Sequence, residues 1–260
     1  MAETALVTGG ARRLGAAMVL RLAARGAAVA IHCHRSRDAA DALAEEVRET
    51  GVPVAVVEAD LLDRDATAAL VPAAAAALGR PLTVLVNNAS IFEHDTMRSA
   101  TSESWDRHIG SSLRAPFELI QAFAAQAPRA GRDAAGEPVA QAVVVNMLDQ
   151  RVRKLTPEFT TYTIAKMGLW TLTRTAAQGL APDVRVMGIA PGPTVRATRQ
   201  SDAHFAAQRS STILGRGTDP EEIAAALAFV LDMPGLTGQV ICVDGGQHLA
   251  WRTADVAGVE

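Results

Sequence analysis

Aromatic residues are scarce in this 260-residue chain, with Phe, Trp and Tyr together making up 4% of it. Its core must therefore be packed mostly from the Ala, Val, Leu and Ile that dominate a 49% apolar composition. Cysteine is scarcer still: Cys33 and Cys242 stand far apart, at no metal-ligand spacing. Both lie in apolar runs and read as small core residues, so no disulfide or metal site is expected and a reducing compartment is the default. Basic residues are not in excess. A net charge of −3 and a pI near 6.1 argue against a sequence-independent nucleic-acid binder, which normally carries a basic face. No apolar run reaches membrane-spanning length, and Met1-Ala2-Glu3-Thr4 leads straight into a short apolar run rather than a charged n-region and secretory h-region. The expectation is a cytoplasmic protein that works away from membranes.

What the chain does have is alternation. Short apolar or β-branched runs at Thr4–Thr8, Ala28–His32, Val54–Glu58, Thr83–Asn87, Ala142–Met147, Val184–Ile189 and Gln239–Val243 read as strands. Ala-rich segments of helical period lie between them, among them Asp38–Thr50 and Arg64–Leu78. Asp219-Pro220-Glu221-Glu222 has an Asp N-cap, Pro at the first helical position and Glu at the third. Strand–helix alternation calls for a parallel sheet with right-handed crossovers. The expected fold is α/β: one Rossmann-type domain over residues 1–260, a doubly wound parallel sheet of about seven strands with helices on both faces. Arg129–Pro138 reads as a surface loop, and 191–217, which contains Pro, Gly and Ser, as a substrate loop. Ligands in such sheets bind beyond the carboxyl ends of the strands, so the segments after each strand are where chemistry is expected.

After the first strand comes Thr8-Gly9-Gly10-Ala11-Arg12-Arg13-Leu14-Gly15. Gly9 suits a tight turn and Gly15 a close helix–strand approach, with free N–H groups of the helix N-terminus facing a pyrophosphate. Arg13 stands where a middle glycine is common; it reads either as a solvated arginine or as a cation over phosphates and substrate. The second strand ends Ile31-His32-Cys33-His34-Arg35-Ser36 without the acid that would hold a ribose 2′-hydroxyl. Arg35 and Ser36 suit a 2′-phosphate instead, which points to NADPH. His32 and His34 fit strand packing and cofactor contact equally well, and Asp60 reads as an adenine acceptor or a solvated loop acid. Asn87-Asn88-Ala89-Ser90 follows the fourth strand and can fix a buried loop near the cofactor.

Tyr162 and Lys166 lie four apart at the start of a helical segment and share one face. A cation beside a phenol favours phenolate and brings its pKa toward working pH. Tyr162 could then give a proton to a substrate that receives a hydride, while Lys166 holds the nicotinamide ribose. Taken with the glycine turn, Asn87-Asn88-Ala89 and Asp244-Gly245-Gly246, this order resembles the short-chain dehydrogenase/reductase family from Thr8 to Gly246. By position, the resemblance implies that the cofactor contacts Gly9, Arg13, Leu14, His34, Arg35, Ser36, Asp60 and Leu61. It implies further contacts at Asn88, Ala89, Ser90, Tyr162, Lys166, Pro191 and Gly192.

Where most of that family carries a serine, thirteen positions before Tyr162, this chain has Asp149. A carboxylate is a poor donor to a carbonyl oxygen but can accept from N–H groups, which suits a nitrogen heterocycle. The same exchange occurs in pteridine reductases and dihydromonapterin reductases, which the chain also resembles at Arg13, Ser90 and Phe92. That likeness implies a pterin held by Arg13, Ser90, Phe92, Asp149 and Tyr162, with offset stacking on Phe92; simple loop packing is Phe92's other reading. Catalysis is expected of Asp149, Tyr162 and Lys166, on a pterin-like small molecule with NADPH and no metal. Departures are Ser112 in place of the family's asparagine, Met187 where an asparagine commonly follows Arg-Val, and a substrate loop unmatched beyond Pro191-Gly192. The alternatives are a carbonyl, quinone or imine reductase and a non-catalytic NADPH sensor. The family resemblance also implies a homotetramer, joined through segments near Ser104–Gln126 and Thr160–Leu180. Trp251 and Arg252 in the tail could reach a neighbour's site or belong to a frayed end.

Overall fold

The computed structural model describes residues 3–252. Seven strands form one sheet: β1 (Thr4–Val7), β2 (Ala28–Cys33), β3 (Val54–Glu58), β4 (Val84–Asn87), β7 (Ala142–Met147), β8 (Val184–Pro191) and β9 (Val240–Val243). Their order is β3-β2-β1-β4-β7-β8-β9, and every neighbouring pair is parallel. This is the Rossmann-type α/β arrangement that the alternation predicts, and the strand order reverses between β1 and β4.

Side chains alternate across a strand, so each strand feeds two cores. Val7, Ile31, Val86, Val145 and Ile189 point to one face, where α1 (Arg13–Ala24), α2 (Arg37–Glu49) and α8 (Pro220–Asp232) cover them. Leu6, Leu85, Val144 and Val186 point to the other, against α3 (Arg64–Leu78), α5 (Ala115–Gln126) and α6 (Thr160–Leu180). Phe123 fills the second layer and is completely buried. The Asp219 capping box starts α8 as expected, with Pro220 in its first turn.

Three segments differ from expectation. Residues 129–138 are not a plain loop: Gly131–Arg132 (β5) and Pro138–Val139 (β6) pair antiparallel, and the Asp133 carboxylate closes the turn by accepting from Ala135 and Glu137 N–H. Residues 191–217 contain α7 (Asp202–Ser210), started by the Ser201 hydroxyl accepting from His204 N–H. The segment from Ser104 is α4 (Ser102–Ile109), then a widened π turn at Gly110–Arg114, then α5. Pro116 explains the widening, because it has no N–H to return to the carbonyl one turn earlier. Trp251 and Arg252 are exposed, and the rest of the tail lies outside the described residues. Among the described residues no helix is long and apolar enough to cross a membrane, and no cluster of metal-ligating side chains occurs.

Candidate active site

Two cavities open at the carboxyl edge of the sheet, where a doubly wound fold places its ligands. A cleft of about 390 Å3 lies over the ends of β1 to β4, lined by Gly9, Arg12, His34, Arg35, Ser36, Asp60, Leu61, Ala89 and Ser90, among others. A larger cavity of about 600 Å3 lies over β4, β7 and β8, lined by Arg13, Phe92, Asp149, Arg151, Phe159, Pro191, Gly192 and Arg199, among others. Successive residues are divided between them: Arg12 faces the cleft and Arg13 the cavity.

The floor of the cleft is the glycine turn. Gly9 has φ +60°, and a Cβ on Gly15 would meet the Gly9 carbonyl oxygen at 2.2 Å and Asn88 Nδ2 at 2.9 Å. Only glycine at position 15 allows α1 to start this close to the loop. The Asn88 amide donates to the carbonyls of Thr8 and Gly9 at 2.9 and 3.1 Å, and the Thr8 hydroxyl accepts from the N–H groups of Asn88 and Ala89. His32 is buried in β2. Its Nδ1 accepts from Gly9 N–H at 3.0 Å, so its Nε2–H donates to the Ala59 carbonyl at 3.1 Å. Burial pushes its pKa down to about 4, keeping it neutral. His32 thus braces the turn from below, whereas His34 is at the rim, 3.8 Å from the Asp60 carboxylate. A glycine cradle, a helix N-terminus, Arg12, Arg35 and Ser36 together fit a dinucleotide with a 2′-phosphate.

Buried against Phe92 and Asp149 is the chain's single tyrosine. Tyr162 Oη donates to Asp149 Oδ2 at 3.1 Å, and Asp149 Oδ1 also accepts from Arg151 N–H at 2.9 Å. Lys166 is buried and donates to the Met147 carbonyl at 2.7 Å, with its Nζ 5.6 Å from the Tyr162 ring centroid. This corrects the expected phenolate. Burial, then the charge of Asp149 and the hydrogen bond to it, hold Tyr162 well above the usual phenol range. Lys166 has turned to a carbonyl rather than to the phenol oxygen, and burial lowers its pKa to about 8. Tyr162 is therefore a protonated donor at neutral pH, the state that a reduction requires.

Above it lies an aromatic pair. Phe92 stacks on Phe159 with centroids 4.5 Å apart and an interplanar angle of 17°, and it packs against Tyr162 at 4.7 Å. Arg199 lies 4.5 and 4.8 Å from these two Phe centroids, and Arg151 5.6 and 4.9 Å.

The helix that carries Tyr162 is held from a distance. The N-cap position of α6 is Phe159, with φ +59° and no side-chain cap of its own. Asp95 caps it from the β4–α4 segment. Its backbone carbonyl accepts from the N–H groups of Phe159 and Thr160, and its carboxylate from Thr161 N–H, Thr161 Oγ1–H and Ser104 Oγ–H. Because Thr161 donates to Asp95, buried His108 must donate to Thr161 through Nδ1–H at 2.7 Å, leaving Nε2 to accept from Glu93 N–H. Burial of Asp95 works to raise its pKa, but the hydrogen bonds from Thr161 and Ser104 outweigh it and hold the carboxyl below the usual range.

Of the residues picked from the sequence, Gly9, His34, Arg35, Ser36, Asp60, Leu61, Ala89 and Ser90 meet in the cleft. Arg13, Phe92, Asp149, Pro191 and Gly192 meet in the cavity; Tyr162 does not line it but is buried against two residues that do, Phe92 and Asp149. Leu14 does not line the cleft and packs against the core. Ser90 bonds to Ser112, which is buried in the π turn where the family's asparagine was expected. Arg12, Asp95, His108, Arg151, Phe159 and Arg199 were not anticipated. Phe159 alone left a signal, as an aromatic residue three positions before Tyr162 in a chain with few aromatics.

A doubly wound parallel sheet with a glycine turn at its switch point and a buried Tyr–Lys pair beyond β7 defines the dinucleotide-binding oxidoreductase class. The chain belongs to the short-chain dehydrogenase/reductase family: the family model described as Enoyl-(Acyl carrier protein) reductase matches residues 9–248. Among solved structures it is similar to FolM Alternative dihydrofolate reductase 1 from Brucella suis, in complex with NADP. Identity there is 42%, covering 98% of each chain, with a TM-score of 0.91. The Brucella canis protein of the same name, also complexed with NADP, gives 41%, 98% of each chain and 0.89. Among curated proteins it is 30% identical to the 3-oxoacyl-(acyl-carrier-protein) reductase FabG of Staphylococcus aureus, over 96% of this chain and 99% of that one.

Proposed function

We propose that this chain is an NADPH-dependent reductase of pterins, converting a 7,8-dihydropterin to its tetrahydro form. The observation that carries the reading is the Tyr162–Asp149 hydrogen bond beside the Phe92–Phe159 pair. A carboxylate at this position accepts from ring and amino N–H groups, and the aromatic wall suits a flat heterocycle. Likeness to the two Brucella enzymes, at 41% and 42% identity, supports the same substrate class.

NADPH, when bound, supplies the hydride to a ring C=N bond. Gly9, Arg12, Arg35 and Ser36 would hold its phosphates, with Asn88 fixing the loop beside it. The chain's own part in the reaction is to orient the heterocycle and deliver one proton. Tyr162 Oη–H gives that proton to the ring nitrogen. The phenolate left behind is disfavoured by Asp149 and stabilised by the guanidinium of Arg151, while Lys166, anchored on the Met147 carbonyl, would hold the nicotinamide ribose. Asp149 fixes the ring by accepting its N–H groups, with Arg13 and Phe92 bounding the pocket.

Loss of NADPH absorbance with dihydrobiopterin, dihydromonapterin and dihydrofolate tests this. Turnover of at least one is expected, and failure with all three would overturn it. A carbonyl reductase is the second reading, favoured by likeness to the Staphylococcus FabG protein. On that reading 3-ketoesters would be better substrates than any dihydropterin.

A further inference from the structure

The larger cavity has more lining than the residues assigned to the heterocycle. Besides Asp149 and the Phe92–Phe159 pair, it is lined by Arg199, Gln200, His204 and Gln208. The charge of its lining is unbalanced, with Arg13, Arg151 and Arg199 against Asp149 and Glu158. Asp149 is engaged by Tyr162, with Arg151 at 3.5 Å, and Glu158 is engaged by His94. Asp202, further out, pairs with Arg196.

Neither Arg13 nor Arg199 has a carboxylate within ion-pair distance among the described residues. Each is held instead by a single neutral acceptor: Arg13 Nη2 donates to the Val195 carbonyl at 3.0 Å, and Arg199 Nη1 to the Phe92 carbonyl at 2.9 Å. One anchored N–H fixes each guanidinium in place and leaves its other donors for a ligand. Arg151 adds a buried Nε without a partner. The positive field is felt by Arg199 itself, whose pKa is lowered by burial and then by Arg151.

Resting on the pterin reading above, we propose that Arg199, aided by Arg13, receives a carboxylate carried on the substrate's side chain, making the enzyme selective for dihydropterins with acidic tails over those with neutral polyol tails. A guanidinium anchored by one N–H can still offer two parallel donors to a carboxylate. Because Arg199 lies against the aromatic pair, the tail carboxylate would be held beside the wall that bounds the reacting ring.

The test compares kcat/KM for dihydrofolate, which has a carboxylate tail, with that for dihydrobiopterin, which has a neutral one. Arg199→Gln should lower the dihydrofolate-to-dihydrobiopterin ratio about tenfold, the size of one charge-assisted hydrogen bond, mainly through KM. Arg199→Lys should recover part of it. Added salt should weaken the wild-type preference and leave the variant's ratio nearly flat. An Arg199→Gln enzyme that loses both substrates equally, or neither, overturns the proposal. Calorimetric titration of the NADP-loaded protein with folate and biopterin separates this from failure of the functional reading. Arg199-dependent preference for folate without turnover would refute pterin reduction and leave the subsite standing, whereas equal binding of the two would refute the subsite.

Discussion

His32 links the acid stability of the fold to the glycine turn that faces the cofactor cleft. Its neutral ring satisfies two backbone groups at once, Gly9 N–H and the Ala59 carbonyl. Protonation puts a hydrogen on Nδ1 where the ring must accept, and so breaks the bond to Gly9. The unfolded chain takes up this proton as pH falls through 6.5, while the folded chain resists until about 4. Between those values the unfolded state binds the extra proton, so stability falls as pH falls. It is intact above 6.5. The difference between 6.5 and about 4 corresponds to roughly 3 kcal/mol. Urea unfolding of wild type and His32→Leu, just above pH 6.5 and near pH 4, measures it. At the higher pH the variant should be less stable by about 1–3 kcal/mol, because it orphans a donor and an acceptor. Near the lower pH that gap should close, since leucine has no proton to gain. A gap of the same size at both ends would refute the reasoning, as would wild-type affinity for NADPH in a variant whose glycine turn has lost its brace.

Four further outcomes follow from the geometry. Tyr162→Phe should lower kcat about a hundredfold or more while NADPH affinity, read by fluorescence titration, is kept. Lys166 titrates at about 8, so activity that depends on its ammonium should fall as pH rises through that value. Lys166→Arg should remove that limb from the pH profile of whatever activity remains. Arg35→Glu should cut the NADPH-to-NADH ratio of kcat/KM by about tenfold or more, since a carboxylate repels the 2′-phosphate that a guanidinium binds. Asp95→Asn should cost about 1–3 kcal/mol in urea unfolding at neutral pH. Because the folded carboxyl is held below its usual range, that contribution is present above the unfolded pKa and disappears as pH falls through the folded one.

The sheet was legible because each strand is a short apolar run bounded by turn residues, and several predicted limits agree with the structure to the residue, as at Val54–Glu58 and Ala142–Met147. The glycine turn, Arg35, Ser36, Asp149 and Tyr162 were legible because their spacing from a strand end carries the chemistry. The acidity of Tyr162 was not. Helical spacing brings Lys166 to the same face, but it does not reveal that the Met147 carbonyl takes its ammonium or that Asp149 opposes ionisation. Asp95 and Thr161 are 66 residues apart in sequence, and no local pattern encodes a cap supplied from that distance. Arg151 and Arg199 reach the aromatic pair from separate loops, and in the sequence they look like any other surface arginine.

The cap that Asp95 places on α6 also constrains how this enzyme can be re-engineered. The segment between β4 and α4 brings Phe92 into the larger cavity beside Tyr162 and Asp95 to the helix of Tyr162. A chimera that takes this segment from a relative with another specificity therefore exchanges the brace of the proposed proton donor together with the wall of the pocket. Grafts that keep Asp95, Ser104, His108 and Thr161 as one set can change substrate preference while preserving turnover. Grafts that break the set will show low kcat on every substrate, and a screen would record that as lost specificity when the fault lies in the helix start.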